Sequence, residues 1–352
     1  MGSGVSSMPT TSRYCSVADV DEPGVNGESR PARSVLPIVF LMGPTASGKT
    51  RLAMELAERF PLRVISVDSA MVYRGMDIGT GKPDGEALRR VPHRLIDIRD
   101  PDETYSAADF RRDAADEIAR ARDEGRIPFL VGGTGLYFRA LRDGLSMLPP
   151  ADREVRARLE AEAAEHGWKY LHGRLEQVDP VSAARINSND PQRIQRALEV
   201  LELTGAPMSR LLAGAERVGL AEPVHGFIIE PTSRATLHAD IAARFHDMLH
   251  AGLVEEVRGL RQRWSPGDAP PCMRAVGYRQ VDDFLRGRCS HREMVDRGIA
   301  ATRQLARRQL TWLRAETRAA RFDCHAADLF ADLQAALERA ISDRKKDGLD
   351  TV

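Results

Sequence analysis

The segment Gly43-Pro44-Thr45-Ala46-Ser47-Gly48-Lys49-Thr50 constrains this chain more than any other stretch. Its spacing, G-x-x-x-x-G-K-T, is that of a phosphate-binding loop, and the pattern has meaning only between a strand and a helix. Both neighbours are present. Residues 35–42 form an apolar run suited to a buried strand, and residues 51–60 have the apolar spacing of a helix. Glycines let backbone N–H groups turn toward one anion, and the helix N-terminus adds a partial positive charge. The Lys49 ammonium adds a full one, and the Thr50 hydroxyl is suited to contact Mg²⁺ carried by phosphates. Gly43, Pro44, Thr45, Ala46, Ser47, Gly48, Lys49 and Thr50 are therefore the expected diphosphate- or nucleotide-binding residues, with Thr50 the metal contact. The motif leaves open which phosphorylated ligand is bound.

The 352 residues suit two domains, or one with a large insertion, and a 42% hydrophobic fraction is enough for a core. Lys and Arg number 51, as do Asp and Glu, so no global field draws the chain to nucleic acid, and any such surface has to be a local patch. Cys15, Cys272, Cys289 and Cys324 show no C-x-x-C spacing, which argues against a zinc site or disulfide framework and fits the cytoplasm. No apolar run reaches the roughly 18 residues of a membrane helix. Residues 1–34, rich in Ser, Gly, Pro and Asp without apolar period, are expected to be a disordered leader.

Residues 62–69 are β-rich and run into Asp68. In P-loop folds the strand beside the P-loop strand often ends in an acid that reaches the metal or the reacting group, so Asp68 is a candidate for chemistry. A plain turn or helix cap is the competing reading. Residues 71–83, with three glycines and a proline, predict a long loop over the site. Residues 93–97 predict a short strand. A helix is predicted over 106–124, with Ser106 and Asp109 as N-caps and Phe110, Ala114, Ile118 and Ala121 on one face. Residues 127–131 predict another buried strand, followed by Gly132-Gly133-Thr134-Gly135 and a helix over 136–141. This second strand–glycine turn–helix unit brings the Thr134 hydroxyl to the sheet edge of Gly43 and Asp68. With a strand over 225–230, the expectation is an α/β fold: a P-loop NTPase-like sheet of about five parallel strands with helices on both faces.

Between residues 149 and 215 strand character disappears and arginines are scattered among helical patterns. The helix opening at Asn189-Asp190-Pro191 carries Arg193 and Arg196 three apart, hence on one face. The expected organisation is a catalytic core of 35–145 and 216–345 interrupted by an all-helical insertion, 146–215, with a basic face. Helices are predicted over 234–250, which contains Arg244, and over 252–264. Residues 273–280 predict a loop leading into a helix, where Arg274, Arg279 and Tyr278 are suited to hold a phosphate backbone and stack a base. A helix over 297–314 carries Arg303, Arg307 and Arg314 along one side, and 328–343 predicts a packing helix.

Taken together, GPTASGKT (43–50), ISVDSAMVYRGMDIGTGKP (65–83), PHRLIDI (92–98), YSAADFRRDA (105–114), PFLVGGTGLYFRAL (128–141), NDPQRIQRALEV (189–200), RAVGYRQ (274–280) and ATRQLARRQLTWLR (301–314) resemble the segments of bacterial tRNA dimethylallyltransferases, or tRNA isopentenyltransferases, in the same order. Met71 stands where many members carry Gln. The resemblance implies transfer of a dimethylallyl group from dimethylallyl diphosphate to N6 of the adenosine 3′ of the anticodon, in tRNAs reading codons that begin with U. It implies a cytoplasmic monomer using Mg²⁺, with the P-loop and Arg244 on the diphosphate. An adenine amine is a poor nucleophile whose proton has to be removed as the new bond forms, which suits Asp68 as base and Thr134 as the group orienting the amine. The leaving diphosphate gains charge, which Lys49 and the loop amides would stabilise. The target base has to leave its stack. The implied tRNA contacts are Asp68, Ser69, Ala70, Met71, Thr134, Arg156, Gln192, Arg193, Ile194, Gln195, Arg196, Arg274, Ala275, Val276, Gly277, Tyr278 and Arg279. The alternative is a P-loop kinase of a nucleoside or other small molecule. It accounts for the P-loop and Asp68, but not for the basic insertion or the late arginine-rich helix.

Overall fold

Strands without a polar face have to be covered on both sides, and the parallel sheet here meets that demand. The computed structural model describes residues 1–2, 36–146, 148–214, 218–264 and 270–347; all but two residues of the expected leader lie outside the described residues. The core opens with β1 (Ile38–Met42), α1 (Lys49–Ala57), β2 (Leu62–Val67), α2 (Gly85–Arg90) and β3 (His93–Arg94). It continues with α3 (Ala107–Asp123), β4 (Ile127–Gly132) and α4 (Gly135–Arg142). Five helices follow: α5 (Arg153–His166), α6 (Trp168–Val178), α7 (Pro180–Ala183), α8 (Pro191–Thr204) and α9 (Met208–Ala213). The chain returns to the sheet with β5 (Val224–Glu230). It then runs through α10 (Arg234–His250), α11 (Leu253–Arg261), α12 (Tyr278–Leu285) and α13 (His291–Leu313) to β6 (Ala320–Asp323) and α14 (Leu329–Asp347).

The six strands pair in the order β3-β2-β4-β1-β5-β6, every pair parallel. Alternate strand residues feed opposite faces. Ile38, Phe40, Met42, Ile65 and Val67 pack with Phe110 and Ile118 of α3, Phe138 and Leu141 of α4, and Leu253, Val281 and Met294 of α11, α12 and α13. Val39, Leu41, Val64 and Phe129 pack with Leu52 and Leu56 of α1 and with Leu333 and Leu337 of α14. The helical segment has apolar packing of its own, with Val155, Leu159, Leu171, Leu175, Ile194 and Leu198 together. α3 begins where its sequence says: Ser106 accepts from the Asp109 N–H at 3.1 Å while the Asp109 carboxylate accepts from the Ser106 N–H at 3.0 Å.

Two departures from expectation have identifiable physical causes. The sheet has a sixth strand, β6, paired along β5 from Phe227↔Ala320 to Glu230↔Asp323. Its four residues, half of them exposed, alternate too briefly to mark a strand, and pairing at the sheet edge supplies what the pattern lacks. The strand expected over 93–97 stops at Arg94, because Leu95 (φ 63°) and Asp97 (φ 55°) are left-handed. Asp97 turns there to meet Lys82, whose buried ammonium donates to Asp97 Oδ1 at 2.5 Å, Asp77 Oδ1 at 2.7 Å and the Tyr73 carbonyl at 2.6 Å. The expected loop 71–83 is therefore a clamped structure. Glu256 of α11 clamps its far end, accepting from the N–H groups of Asp77 (3.0 Å), Ile78 (2.7 Å) and Gly79 (3.2 Å) and from the Tyr278 hydroxyl (2.6 Å).

Glu256→Ala strips these donors of their shared acceptor and is expected to destabilise the protein by about 2–4 kcal/mol. Glu256→Gln, which keeps one oxygen, should cost less. Urea unfolding midpoints measure both, and an unchanged midpoint for the alanine variant would contradict this account of the loop.

Candidate active site

The phosphate-binding loop is shaped by close approach. A Cβ on Gly43 would lie 2.3 Å from the Ile229 carbonyl oxygen, so β5 and the loop meet only because no side chain stands there. Ala46 (φ 64°) and Gly48 (φ 77°) are left-handed. The Ser47 hydroxyl donates to the Pro44 carbonyl at 2.9 Å, tightening the turn. Lys49 folds back over it, donating to the Pro44 carbonyl and, at 3.2 Å, to Ser47 Oγ, and bonds no carboxylate among the described residues. Burial first and the Arg244 guanidinium second lower its pKa to about 7 from 10.5, against the opposing pull of Asp68 and Cys324. Arg244, projecting from α10, is also held below its ordinary value by burial, against the pull of Asp68. Its guanidinium lies against Gly81, where an added Cβ would be 2.0 Å from Nη2. Two desolvated cations beside one another favour a polyanion between them. The Thr50 hydroxyl has no hydrogen-bond partner among the described residues, and it borders a cavity of about 410 Å³ lined also by Met54, Gly81, Lys82 and Pro83.

At the end of β2, Asp68 does both things its sequence left open. Oδ1 accepts from the N–H groups of Ala70 (2.8 Å) and Met71 (3.2 Å), an Asx turn, while Oδ2 has no partner among the described residues. Thr134 stands at the N-cap of α4 with φ −86° and ψ 89°, but its side chain makes no capping bond. Its N–H donates to the Val67 carbonyl at 3.3 Å, which ties it to the residue preceding Asp68. Gly132 permits this contact, since a Cβ there would lie 2.1 Å from the Val67 oxygen. The ends of β1, β2 and β4 thus bring the loop's Lys49, a carboxylate oxygen and a hydroxyl to one sheet edge, the last two without protein partners among the described residues.

Gln309 of α13 was missed from sequence. It accepts from the Thr45 N–H at 2.8 Å and donates to the Gly133 carbonyl at 3.1 Å, joining the P-loop to the turn that carries Thr134. A signal existed. Ala306, Gln309, Leu310 and Leu313 form the i, i+3, i+4, i+7 row that faces inward, and a glutamine in that row needs a polar partner.

The residues expected on the acceptor side divide. In α8, Gln192 and Arg193 are exposed, while Ile194 is fully buried in the helical segment's core; the expected RNA contact by its side chain is corrected to packing. Gln195 is turned to the Arg156 carbonyl at 3.1 Å. Arg156 and Arg196 both hold Glu199 (2.8 and 2.7 Å), so neither is a free cation. Arg274 and Arg279 are exposed and Ala275 and Val276 half-buried. Gly277 is buried at φ 92°, its N–H donating to Gln280 Oε1 at 2.9 Å. Tyr278 is 0% exposed with its hydroxyl on Glu256, so the expected base stacking is corrected: the ring is core, and an aromatic at a helix start looks alike from sequence whichever way it turns. Ser69 is exposed and Ala70 and Met71 half-buried beside Asp68. No hydrogen bond links α8 or residues 274–279 to the P-loop among the described residues.

A family model described as IPP transferase matches residues 71–316. The fold is similar to the full-length tRNA isopentenylpyrophosphate transferase of Bacillus halodurans, at 35% identity and a TM-score of 0.64, over 88% of this chain and 98% of that one. The tRNA delta(2)-isopentenylpyrophosphate transferase of Staphylococcus epidermidis is 30% identical, with a TM-score of 0.60 over 88% of this chain and 99% of that one. A eukaryotic dimethylallyltransferase captured acting on tRNA shares the fold at 23% identity and a TM-score of 0.69, over 85% of this chain and 77% of its own.

Two outcomes follow from the geometry. Bound diphosphate should return Lys49 toward its ordinary pKa. Between about pH 7 and 10.5 binding then takes up a proton, and affinity falls as pH rises. Calorimetry of inorganic diphosphate at about pH 8, in buffers of different ionisation heat, should show the parent protein taking up roughly one proton more than Lys49→Met, the diphosphate's own proton being common to both; equal proton exchange by the two would contradict the assignment. Gln309→Ala should lower turnover about tenfold or more by loosening two turns at once, and a parental rate would make the bridge irrelevant to the site.

Proposed function

The chain belongs to the IPP transferase family, and we propose that it transfers a dimethylallyl group from dimethylallyl diphosphate to N6 of the adenosine 3′ of the anticodon, in tRNAs reading codons that begin with U. It is a transferase that prenylates tRNA. The observation that carries the finer reading is the juxtaposition at one sheet edge: cations at Lys49 and Arg244 without a carboxylate bond, and an acceptor oxygen and a hydroxyl left open at Asp68 and Thr134, all among the described residues.

The chemistry runs through these groups. The loop amides, Lys49 and Arg244 bind the donor diphosphate and stabilise the charge it gains as its bond to the allyl carbon breaks. The Thr134 hydroxyl, not spent on capping, orients the adenine amine. Asp68 Oδ2 accepts the amine proton as the C–N bond forms, while Oδ1 keeps the carboxylate fixed through the Asx turn. The residues fit Mg²⁺ as a phosphate-borne ion: the Thr50 hydroxyl is open, and no group of three His, Cys, Asp or Glu suited to caging a metal occurs among the described residues. Such an ion would add charge neutralisation at the diphosphate. The segment 146–215 is the tRNA-gripping insertion in a core of 35–145 and 216–345, with Arg193, Arg274 and Arg279 as exposed cations for the anticodon arm. We place the enzyme in the cytoplasm as a monomer; among the described residues no helix is long and apolar enough to cross a membrane.

Incubation with dimethylallyl diphosphate, Mg²⁺ and unmodified tRNA should yield N6-(dimethylallyl)adenosine on nucleoside mass analysis, without ATP. Phosphate transfer from ATP to a small acceptor would establish the kinase reading instead. Asp68→Asn keeps the size of the side chain and its turn-capping oxygen but cannot take the proton. It should slow single-turnover transfer by about 10² to 10⁴ while tRNA and donor still bind. If this variant instead loses the donor in a Mg²⁺-dependent way, Asp68 is a metal ligand rather than the base.

A further inference from the structure

We propose that Glu199 is a positioning residue for RNA binding: a buried carboxylate that holds the Arg156 guanidinium in the one orientation that presents its remaining N–H edge to an RNA acceptor. The proposal rests on the tRNA-binding reading of the helical insertion.

Glu199 lies on the inward side of α8 with its side chain 0% exposed. Its oxygens accept from the Asp152 N–H (2.8 Å), from Arg156 Nε (2.8 Å) and Nη2 (3.1 Å), and from Arg196 Nη1 (2.7 Å). Burial pushes its pKa up, but the bonds from Arg156, Arg196 and the Asp152 amide outweigh this and hold it below the ordinary carboxylate range, so it is charged. Replacing a buried ion network of this kind by well-packed apolar side chains is often neutral or stabilising, so stability alone does not account for it.

The directions of the bonds say which group is being oriented. Arg196 is the more covered of the two arginines, and it is held twice, by Glu199 and by Nη2 donating to the Pro149 carbonyl at 2.6 Å. Arg156 is 42% exposed, and its bidentate grip through Nε and Nη2 leaves Nη1 without a protein partner among the described residues. A planar guanidinium fixed along one edge has no rotamer freedom left to lose when its other edge meets a phosphate or base oxygen. The neighbouring arginines of the segment are arranged otherwise: Arg158 and Arg174 pair with Glu202, and Arg174 also with Glu162, on partly exposed carboxylates. The Glu199 carboxylate is hidden from solvent beneath its two cations, which keep a surplus of one positive charge.

The test turns on sign. Glu199→Gln removes a buried negative charge and raises the net charge of the segment by one, so if charge alone mattered RNA would bind more tightly. If Glu199 positions Arg156, the opposite follows. Affinity for an anticodon stem-loop should fall about tenfold and KM for tRNA rise to match, with kcat at saturating tRNA and KM for the donor unchanged. Glu199→Asp, with charge retained but the carboxylate withdrawn by one methylene, should shift binding in the same direction. Arg156→Lys leaves charge and the buried carboxylate in place and removes the planar fork, so it serves if the Glu199 variants do not fold; it should weaken binding nearly as much as Arg156→Ala. Folded Glu199→Gln that binds RNA as well as the parent or better, or Arg156→Lys at parental affinity, overturns the proposal. Should Arg156→Ala itself leave RNA affinity unchanged, the assignment of Arg156 to the RNA surface fails, and this inference with it. If Arg156→Ala weakens binding while Glu199→Gln does not, only the positioning role falls.

Discussion

The site exists because three strand ends are allowed to crowd together. β1, β2 and β4 run parallel, so their carboxyl ends lie at one edge of the sheet, where turns rather than strands have to fill the space. Gly43 against the Ile229 carbonyl and Gly132 against the Val67 carbonyl remove the side chains that would hold those turns apart. Gln309, reaching in from α13, links the two turns through backbone groups. An anion-binding loop and a pair of unspent oxygens thereby share one small volume, which is what a transfer from a charged donor to a weak nucleophile requires.

Charge is then sorted by partner rather than by sum. The chain has as many acidic as basic residues, yet the cations differ in what they touch. Buried Arg63 is spent on buried Glu117 and exposed Glu124, and Arg142 on Asp143 and Glu316. Lys82 is consumed by Asp77 and Asp97 to close a loop. Lys49 and Arg244 have no such partner among the described residues and are desolvated, so they form the part of the molecule that gains most from a polyanion. Arg274, Arg279, Arg307 and Arg314 are exposed and unpaired among the described residues, which makes a local basic surface compatible with a neutral chain.

The loop over the site illustrates how far a local reading goes. Three glycines and a proline mark residues 71–83 as irregular, and they are. Irregular is not the same as loose. Lys82 and Glu256 satisfy the segment's polar groups from inside and from α11, and the second clamp lies 174 residues further along than the first. Nothing near residue 80 announces that partner.

By itself the sequence determined the P-loop, the buried strands, the helix starts at Ser106 and Arg234 and the positions of Asp68 and Thr134, because each depends on neighbours within one turn or one strand. Apolar runs, caps and glycine spacing are local physics and carry their signal wherever the chain goes. Tertiary structure decided the rest. Whether Tyr278 stacks on a base or packs under a loop depends on Glu256. Whether Arg156 and Arg196 are free depends on Glu199, which lies on the same helix as one of them but is matched to the other across 43 residues. Whether Ala320–Asp323 is a strand depends on an open edge of β5. In each case the residues are as suited to one role as to the other, and the choice belongs to a partner that folding supplies: Glu199 for Arg156 at 2.8 Å, Glu256 for Tyr278 at 2.6 Å and β5 for the last strand.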